Sequence, residues 1–189
     1  MRCASPARDG GGRLHEGSGR EPLTLYLDID GVLTTAGYQR RAGADRLDPA
    51  EVAIVAALLR DLGGRVVVSS TWRVADCRPT LVEAGLPEGC FHADWRTAIP
   101  ATSRDPATGG MLPAEQARRG DEIAEHAARN AVTRYLVLDD VDVGPAHGGR
   151  HVRPDPETGL TEAEGALARE LVARMDAARD GSRLGVKIP

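Results

Sequence analysis

Lysine is almost absent from this 189-residue sequence: it occurs once, at Lys187, and arginine supplies every other permanent side-chain cation. Aromatic residues make up only 3% of the chain, so a core must be built mainly from aliphatic side chains. No segment approaches the roughly 20 consecutive apolar residues that a membrane-spanning helix needs. The N-terminus also lacks the apolar stretch of a signal peptide. We therefore expect a cytoplasmic protein with no membrane contact.

Cysteine is also scarce, with three residues that are scattered and form no Cys-x-x-Cys pair. This pattern argues against a disulfide framework and against a zinc site. The net charge of −4 excludes a global basic field that would attract nucleic acid, although it leaves room for a local basic patch. No feature of the sequence indicates an obligate protein partner.

The distribution of apolar residues divides the chain into a polar N-terminal segment and one domain. Residues 1–21 have little apolar content and no periodicity, which predicts a flexible tail. Residues 22–189 alternate short apolar runs with helical patterns. The runs predict buried strands at residues 23–27, 65–68, 90–93 and 135–138, with helices at about 48–61, within 73–84, at 121–129 and at 161–181. Such alternation predicts an α/β fold of the doubly wound Rossmann-like type, with a parallel sheet.

Polar side chains follow three of the predicted strands at the point where each strand ends. They are Asp28 and Asp30, then Ser69 and Ser70, then Asp139 and Asp140. Because the carboxyl ends of parallel strands meet at one edge of a sheet, we expect these groups to lie together. Crowded carboxylates repel one another unless a cation neutralises them, and oxygen ligands of this kind suit Mg²⁺. In Asp28-Ile-Asp, one carboxylate could attack phosphorus while the other moves protons, and the Ser69 hydroxyl could hold a phosphoryl oxygen.

Four segments resemble, in order and spacing, the four motifs of the haloacid dehalogenase-like (HAD) superfamily. They are Asp28-Ile-Asp-Gly-Val-Leu33, Val66-Val-Val-Ser-Ser-Thr-Trp-Arg73, Arg119-Gly-Asp-Glu-Ile123 and Tyr135-Leu-Val-Leu-Asp-Asp140. The Ser-Ser-x-Trp-Arg run and the turn Asp155-Pro-Glu-Thr-Gly-Leu-Thr161 look most like the branch found in Swiss Army Knife RNA repair proteins. The resemblance covers about residues 23–175.

The resemblance implies a role for each matched residue. Asp28 would be the nucleophile that forms an aspartyl-phosphate, and Asp30 would act as acid and base, with its backbone carbonyl on Mg²⁺. Ser69 would bind a phosphoryl oxygen, with Ser70 as a further substrate contact. Asp140 would be a direct metal ligand, with Asp139 beside it. An Asp at the position of Asp30 is typical of phosphatases, whereas dehalogenases lack it.

The third motif departs from the superfamily, because its usual lysine is missing. Arg119, just before the predicted start of a helix, is the best substitute as the catalytic cation, and Arg118 is the alternative. Arg73 could bind a second anionic group of the substrate, or it could form a surface ion pair. Trp72 could stack on a base, although an aromatic residue at this junction is more typical of a core.

The lengths of the intervening segments leave little room for a cap domain over the site. Residues 31–47 are too few for a folded cap, and after a helix and a strand only the 97–117 loop remains. We therefore expect a minimal cap or none, and an open site. Such a site could take a phosphorylated nucleotide or nucleic-acid end, or alternatively a small phosphorylated metabolite. The alternative to an enzyme is a non-catalytic domain that binds phosphate or interacts with another molecule.

Overall fold

The computed structural model describes residues 21–43, 46–98 and 115–184, with side chains in the last range from 119 to 181. The strands are β1 (Leu23–Leu27), β2 (Gly64–Val68), β3 (Phe91–Arg96), β4 (Tyr135–Leu138) and β5 (His151–Val152). The α-helices are α1 (Ala36–Ala42), α2 (Pro49–Leu62), α3 (Arg78–Glu83), α4 (Glu115–Arg129) and α5 (Glu162–Leu184). Short 3₁₀ helices occupy Thr71–Val74, Glu88–Cys90 and Pro145–His147.

The five strands form one parallel sheet in the order β3-β2-β1-β4-β5, which confirms the predicted α/β fold. The central strand β1 places Leu27 opposite Val68 of β2 and opposite Leu138 of β4. The chain builds the sheet outward from β1 to β3 and then returns to the other side of β1. The carboxyl ends of β1 and β4 therefore flank the point where the strand order reverses, where such sheets bind their ligands.

The two faces of the sheet carry separate apolar cores, because successive residues of a strand point to opposite sides. Leu25 and Leu27 pack in the larger core with residues of α2, α3 and α5. Tyr26, Val67 and Val137 pack on the other face, against Ile123 of α4. Aliphatic side chains dominate both cores, as the composition predicts.

Local sequence signals explain the ends of the long helices. Asp48 caps α2 by accepting a hydrogen bond from the Ala50 N–H, and Gly63 ends the helix in the left-handed conformation. At the start of α5, the Thr161 N–H donates to Glu164 and the Thr161 hydroxyl accepts from the Ala163 N–H, which together resemble a capping box. The end of α5 was predicted too early, since the helix continues past residue 181 to Leu184.

Other elements differ from the sequence prediction in ways that affect the site. Helix α4 begins at Glu115 and not at residue 121, so Arg119 lies inside the helix and not before it. Strand β3 continues to Arg96, three residues beyond the predicted end. The sequence does not predict α1, because this helix has no buried residue. It does not predict β5, because a strand of two residues forms no recognisable pattern.

Several predictions fall on parts of the chain outside the described residues. These parts include residues 1–20 of the predicted tail and residues 99–114 of the predicted loop. Glu21, the last residue of the predicted tail, accepts a hydrogen bond from the backbone N–H of Thr133. Within the described ranges, no helix combines the length and the apolar character needed to cross a membrane.

Candidate active site

Three carboxylates meet at the carboxyl ends of β1 and β4. Asp28 directly follows β1, and Asp139 and Asp140 directly follow β4. One oxygen from each of the three side chains lies within 4.8 Å of the others. Asp28 and Asp139 are buried, whereas Asp140 is half-buried. The sheet topology therefore brings together residues that are more than 100 positions apart in the chain, as the sequence predicts.

Arg119 supplies the positive charge inside this cluster. Its Nη1 atom lies 3.0 Å from Asp28 Oδ2 and 2.7 Å from Asp139 Oδ2, so that one nitrogen bridges two carboxylates. Burial alone would lower the pKa of Arg119, but the charges of Asp28 and Asp139 raise it above its ordinary value. The guanidinium therefore keeps its charge in the site.

The single guanidinium does not balance the three carboxylates. Three negative charges and one positive charge leave a net charge of −2 when all four groups are ionised. Burial, and then the charge of Asp28, raise the pKa of Asp139 to about 7. The same two causes, in the same order, raise the pKa of Asp140. A divalent cation would remove this excess charge, and the all-oxygen donor set fits Mg²⁺.

Two glycines allow backbone segments to approach the cluster closely. Gly31 lies three residues after Asp28 and has a φ of +77°, and a Cβ there would lie 2.5 Å from Asp140 Oδ2. Gly120 lies next to Arg119 in α4, and a Cβ there would lie 2.0 Å from the Val143 carbonyl oxygen. Any larger side chain at either position would push the loops away from the site.

The carboxylate of Asp30 lies apart from these three. Asp30 is exposed, and its Oδ1 accepts a hydrogen bond from Trp72 Nε1 at 3.1 Å. Its Oδ2 accepts a longer one from Thr71 Oγ1, at 3.4 Å. The side chain is thus tied to the 3₁₀ helix that follows β2. The metal contact expected of Asp30 involves its backbone carbonyl and stays a prediction.

Buried hydroxyl groups follow two neighbouring strands. Ser69 comes directly after β2 and Thr97 directly after β3, and the Thr97 N–H donates to the Val68 carbonyl. Within the described part of the chain, neither side-chain oxygen has a hydrogen-bond partner. Buried polar groups are normally paired with protein or with ordered water, so these two oxygens have unused hydrogen-bonding capacity. The sequence prediction missed Thr97 because it ended the third strand too early.

Ser70 and Arg73 are placed differently from Ser69. Ser70 is buried, and its Oγ accepts a 3.4 Å hydrogen bond from the Trp72 N–H, which caps the 3₁₀ helix. A substrate contact of Ser70 stays a prediction. Arg73 is 4% exposed. The alternative prediction, that it forms an ion pair at the surface, is therefore wrong.

The contacts of Arg73 disfavour the anion-binding role expected of it, and that role stays a prediction. Its Nη1 donates to the carbonyls of Ser69 and Ser70, and its Nη2 pairs with Glu122 of α4 at 2.7 Å. The guanidinium therefore ties the loop after β2 to α4. The side chain of Arg118 lies outside the described residues.

An open groove of about 820 Å³ adjoins Asp140. The loops after β4 and β5 form its walls, with Asp142 and Arg153 on opposite loops and Pro154 and Pro156 as apolar surfaces. The Nε atom of Arg153 donates to the Asp140 carbonyl at 2.7 Å, which joins the two loops. The groove therefore lies next to the carboxylate cluster.

The parallel sheet and the carboxylates at the ends of its central strands define a HAD-like domain. Residues 24–164 match the family described as the HAD domain in Swiss Army Knife RNA repair proteins. The match covers more than half of the chain, and the chain belongs to this family. Comparisons with curated proteins and with solved structures gave no significant match. Family membership supports a hydrolase of the phosphatase type, and HAD domains generally use Mg²⁺.

Proposed function

We propose that this chain is a magnesium-dependent phosphomonoester hydrolase that acts through an aspartyl-phosphate on Asp28. The observation that carries the proposal is the cluster of Asp28, Asp139 and Asp140 with Arg119 bridging two of the three. It combines a buried carboxylate that can act as nucleophile with an acidic metal site and a permanent cation. Transfer of a phosphoryl group to a carboxylate uses all three elements in one place.

Asp28, Asp139 and Asp140 would hold the magnesium ion. When bound, Mg²⁺ would neutralise the excess negative charge and polarise the phosphoryl oxygens. Arg119 would take the place of the lysine usual in the superfamily. Because the guanidinium is planar and permanently charged, it can contact the nucleophile and a phosphoryl oxygen together. The unpartnered hydroxyls of Ser69 and Thr97 would donate to the remaining phosphoryl oxygens.

The reaction would proceed in two displacements at phosphorus. In the first, a carboxylate oxygen of Asp28 attacks, the bond to the ester oxygen breaks, and Asp30 delivers its proton to that oxygen. In the second, Asp30 takes a proton from water as the water attacks the aspartyl-phosphate. This step releases inorganic phosphate and restores Asp28. One residue can serve as acid and then as base because the proton that it loses first is replaced in the second step.

We propose nucleotides or nucleic-acid ends as the substrates. The description of the family names RNA repair proteins, and the groove beside Asp140 is open enough for a bulky leaving group. A small-metabolite phosphatase is the second candidate. The observation that favours it is the acidic lining of the groove, because Asp142 and Asp155 would repel the further phosphates of a nucleic-acid strand.

The test is turnover of p-nitrophenyl phosphate with Mg²⁺ and with excess chelator. We expect hydrolysis that requires Mg²⁺ and that chelator abolishes. Full activity in chelator would contradict both the metal dependence and the role of Asp140. A panel of nucleotides, oligonucleotides phosphorylated at the 5′ or 3′ end, and sugar phosphates would then separate the two substrate classes by kcat/KM.

A further inference from the structure

We infer that Trp72 and Thr71 are positioning residues that hold the carboxylate of Asp30 in place for proton transfer. This inference rests on the proposed function, since it assigns the residues that orient its acid and base. The observation behind it is the pair of hydrogen bonds to Asp30, from Trp72 Nε1 to one oxygen and from Thr71 Oγ1 to the other.

The donors to Asp30 sit on an anchored segment. The ring of Trp72 packs against the larger core, and its backbone N–H is capped by Ser70. The next residue, Arg73, ties the same 3₁₀ helix to the carbonyls before it and to Glu122. An exposed carboxylate normally samples several rotamers. Here the indole of Trp72, which is already held by the core, fixes one oxygen of the carboxylate. Because the indole is ordered in advance, restricting the carboxylate costs little further entropy.

The chemistry of the two donors assigns different tasks to the two oxygens of Asp30. An indole N–H can only donate, so Oδ1 stays a hydrogen-bond acceptor at every stage. A hydroxyl can donate to a carboxylate or accept from a carboxylic acid. Trp72 therefore fixes the orientation of the group through Oδ1, and Thr71 is the second partner, at Oδ2.

The chain offers a matched control, because it contains one other tryptophan. Trp95 lies in the edge strand β3, and the guanidinium groups of Arg78 and Arg96 lie 4.8 and 5.1 Å from the centroid of its ring. Trp72→Phe and Trp95→Phe each remove one indole N–H and keep an aromatic ring. Only the first removes a donor to Asp30.

The first experiment compares substrates that differ in their need for an acid. The p-nitrophenolate group leaves without protonation, whereas a simple alkyl phosphate needs its leaving oxygen protonated. Because acid catalysis is worth about 10²–10⁴-fold, we expect Trp72→Phe to lower kcat/KM on the alkyl phosphate by about 10- to 100-fold. On p-nitrophenyl phosphate, kcat/KM should fall by less than about 3-fold, because this parameter reports the first displacement, in which only the alkyl leaving group needs an acid.

Two threonine variants extend this comparison. Thr71→Val should reproduce the selective loss on the alkyl phosphate, and Thr71→Ser should restore activity by returning the hydroxyl. Trp95→Phe should leave both substrates unaffected. An equal loss of kcat/KM on both substrates in Trp72→Phe would show a merely structural role and overturn the inference. If the wild-type protein hydrolysed neither phosphate, the proposed function would fail instead.

The second experiment reads the hydrogen bond without any turnover. An ¹H–¹⁵N spectrum of the wild-type protein should show two indole resonances, assigned by the Trp72→Phe and Trp95→Phe variants. We expect Asp30→Ala to shift the Trp72 indole proton upfield, because it removes a charged acceptor, and to leave the Trp95 resonance in place. An unchanged Trp72 resonance would overturn the inference, whatever the activity of the protein.

Discussion

The carboxylate of Asp28 and the guanidinium of Arg119 form a direct ion pair, with Oδ2 3.0 Å from Nη1. The same nitrogen lies 2.7 Å from Asp139 Oδ2, so Arg119 joins the end of β1 to the end of β4. Helix α4 can deliver this side chain because Gly120 lets its first turns approach the loop after β4. We propose that the arginine occupies the charged position for which the superfamily usually employs a lysine.

We predict that Arg119→Ala lowers kcat by about 10²–10³-fold, the usual effect of deleting one electrostatic stabiliser. KM should rise less, because the charge acts mainly on the transition state. Arg119→Lys should recover part of the rate, since it returns the charge without the planar fork. Steady-state kinetics of the two variants and of Arg118→Ala measure these effects. A normal kcat in Arg119→Ala with a large loss in Arg118→Ala would assign the role of catalytic cation to Arg118 and not to Arg119.

The convergence of Asp28, Asp139 and Asp140 could be predicted because it depends only on topology. Each residue follows a continuous apolar run, and parallel strands bring their carboxyl ends to one edge. The role of Arg73 could not be predicted in this way. Its orientation depends on α4, whose first turns carry Glu122 and lack an apolar stripe that would mark where the helix begins. The link from Trp72 to Asp30 depends on tertiary packing and leaves no periodic signal in the sequence.

Replacement of the nucleophile should separate catalysis from folding. We predict that Asp28→Asn abolishes turnover, because an amide cannot form the aspartyl-phosphate. The variant should fold, and without Mg²⁺ its free energy of unfolding should equal or exceed that of the wild type by on the order of 1 kcal/mol, since one of the crowded charges is gone. Urea denaturation and a turnover assay check both parts. Normal turnover would contradict the mechanism.

The buried pair of Arg73 and Glu122 should contribute to stability and not to substrate affinity. Their side chains are 5% and 10% exposed, so removal of one partner leaves a charge in a poorly solvated place. We predict that Arg73→Met lowers the free energy of unfolding by about 3–5 kcal/mol. Arg73→Met combined with Glu122→Leu should recover part of this loss, because neither charge of the pair remains.

Urea denaturation of the single and double variants measures this coupling, and kinetics under folding conditions measure KM. A rise in KM for phosphorylated substrates without a loss of stability would restore the anion-binding role. A double variant as unstable as the sum of the two single variants would argue against direct coupling.

Glu51 is a buried carboxyl group outside the candidate active site. It lies in the first turn of α2 and is 5% exposed, and within the described residues its Oε2 has no hydrogen-bond partner. The turn before α5 packs tightly on it, since a Cβ at Gly159 would lie 1.9 Å from Glu51 Oε1. Burial, and then the negative charge of Asp48, raise the pKa of Glu51 to about 7.

This shift predicts how stability changes with pH. The folded protein favours the protonated form, so the contribution of Glu51 is fully present below its unfolded pKa of 4.5 and is lost as pH rises through about 7. Glu51→Gln keeps the shape of the neutral form at every pH. We therefore predict that the variant is more stable than wild type by about 1–3 kcal/mol at pH 8, and within about 0.5 kcal/mol of it at pH 4.5. Urea denaturation of both proteins at the two pH values gives the difference directly, because the other titrating groups are common to both. A stability difference that is the same at pH 4.5 and pH 8 would show that the pKa of Glu51 is not raised in the folded protein.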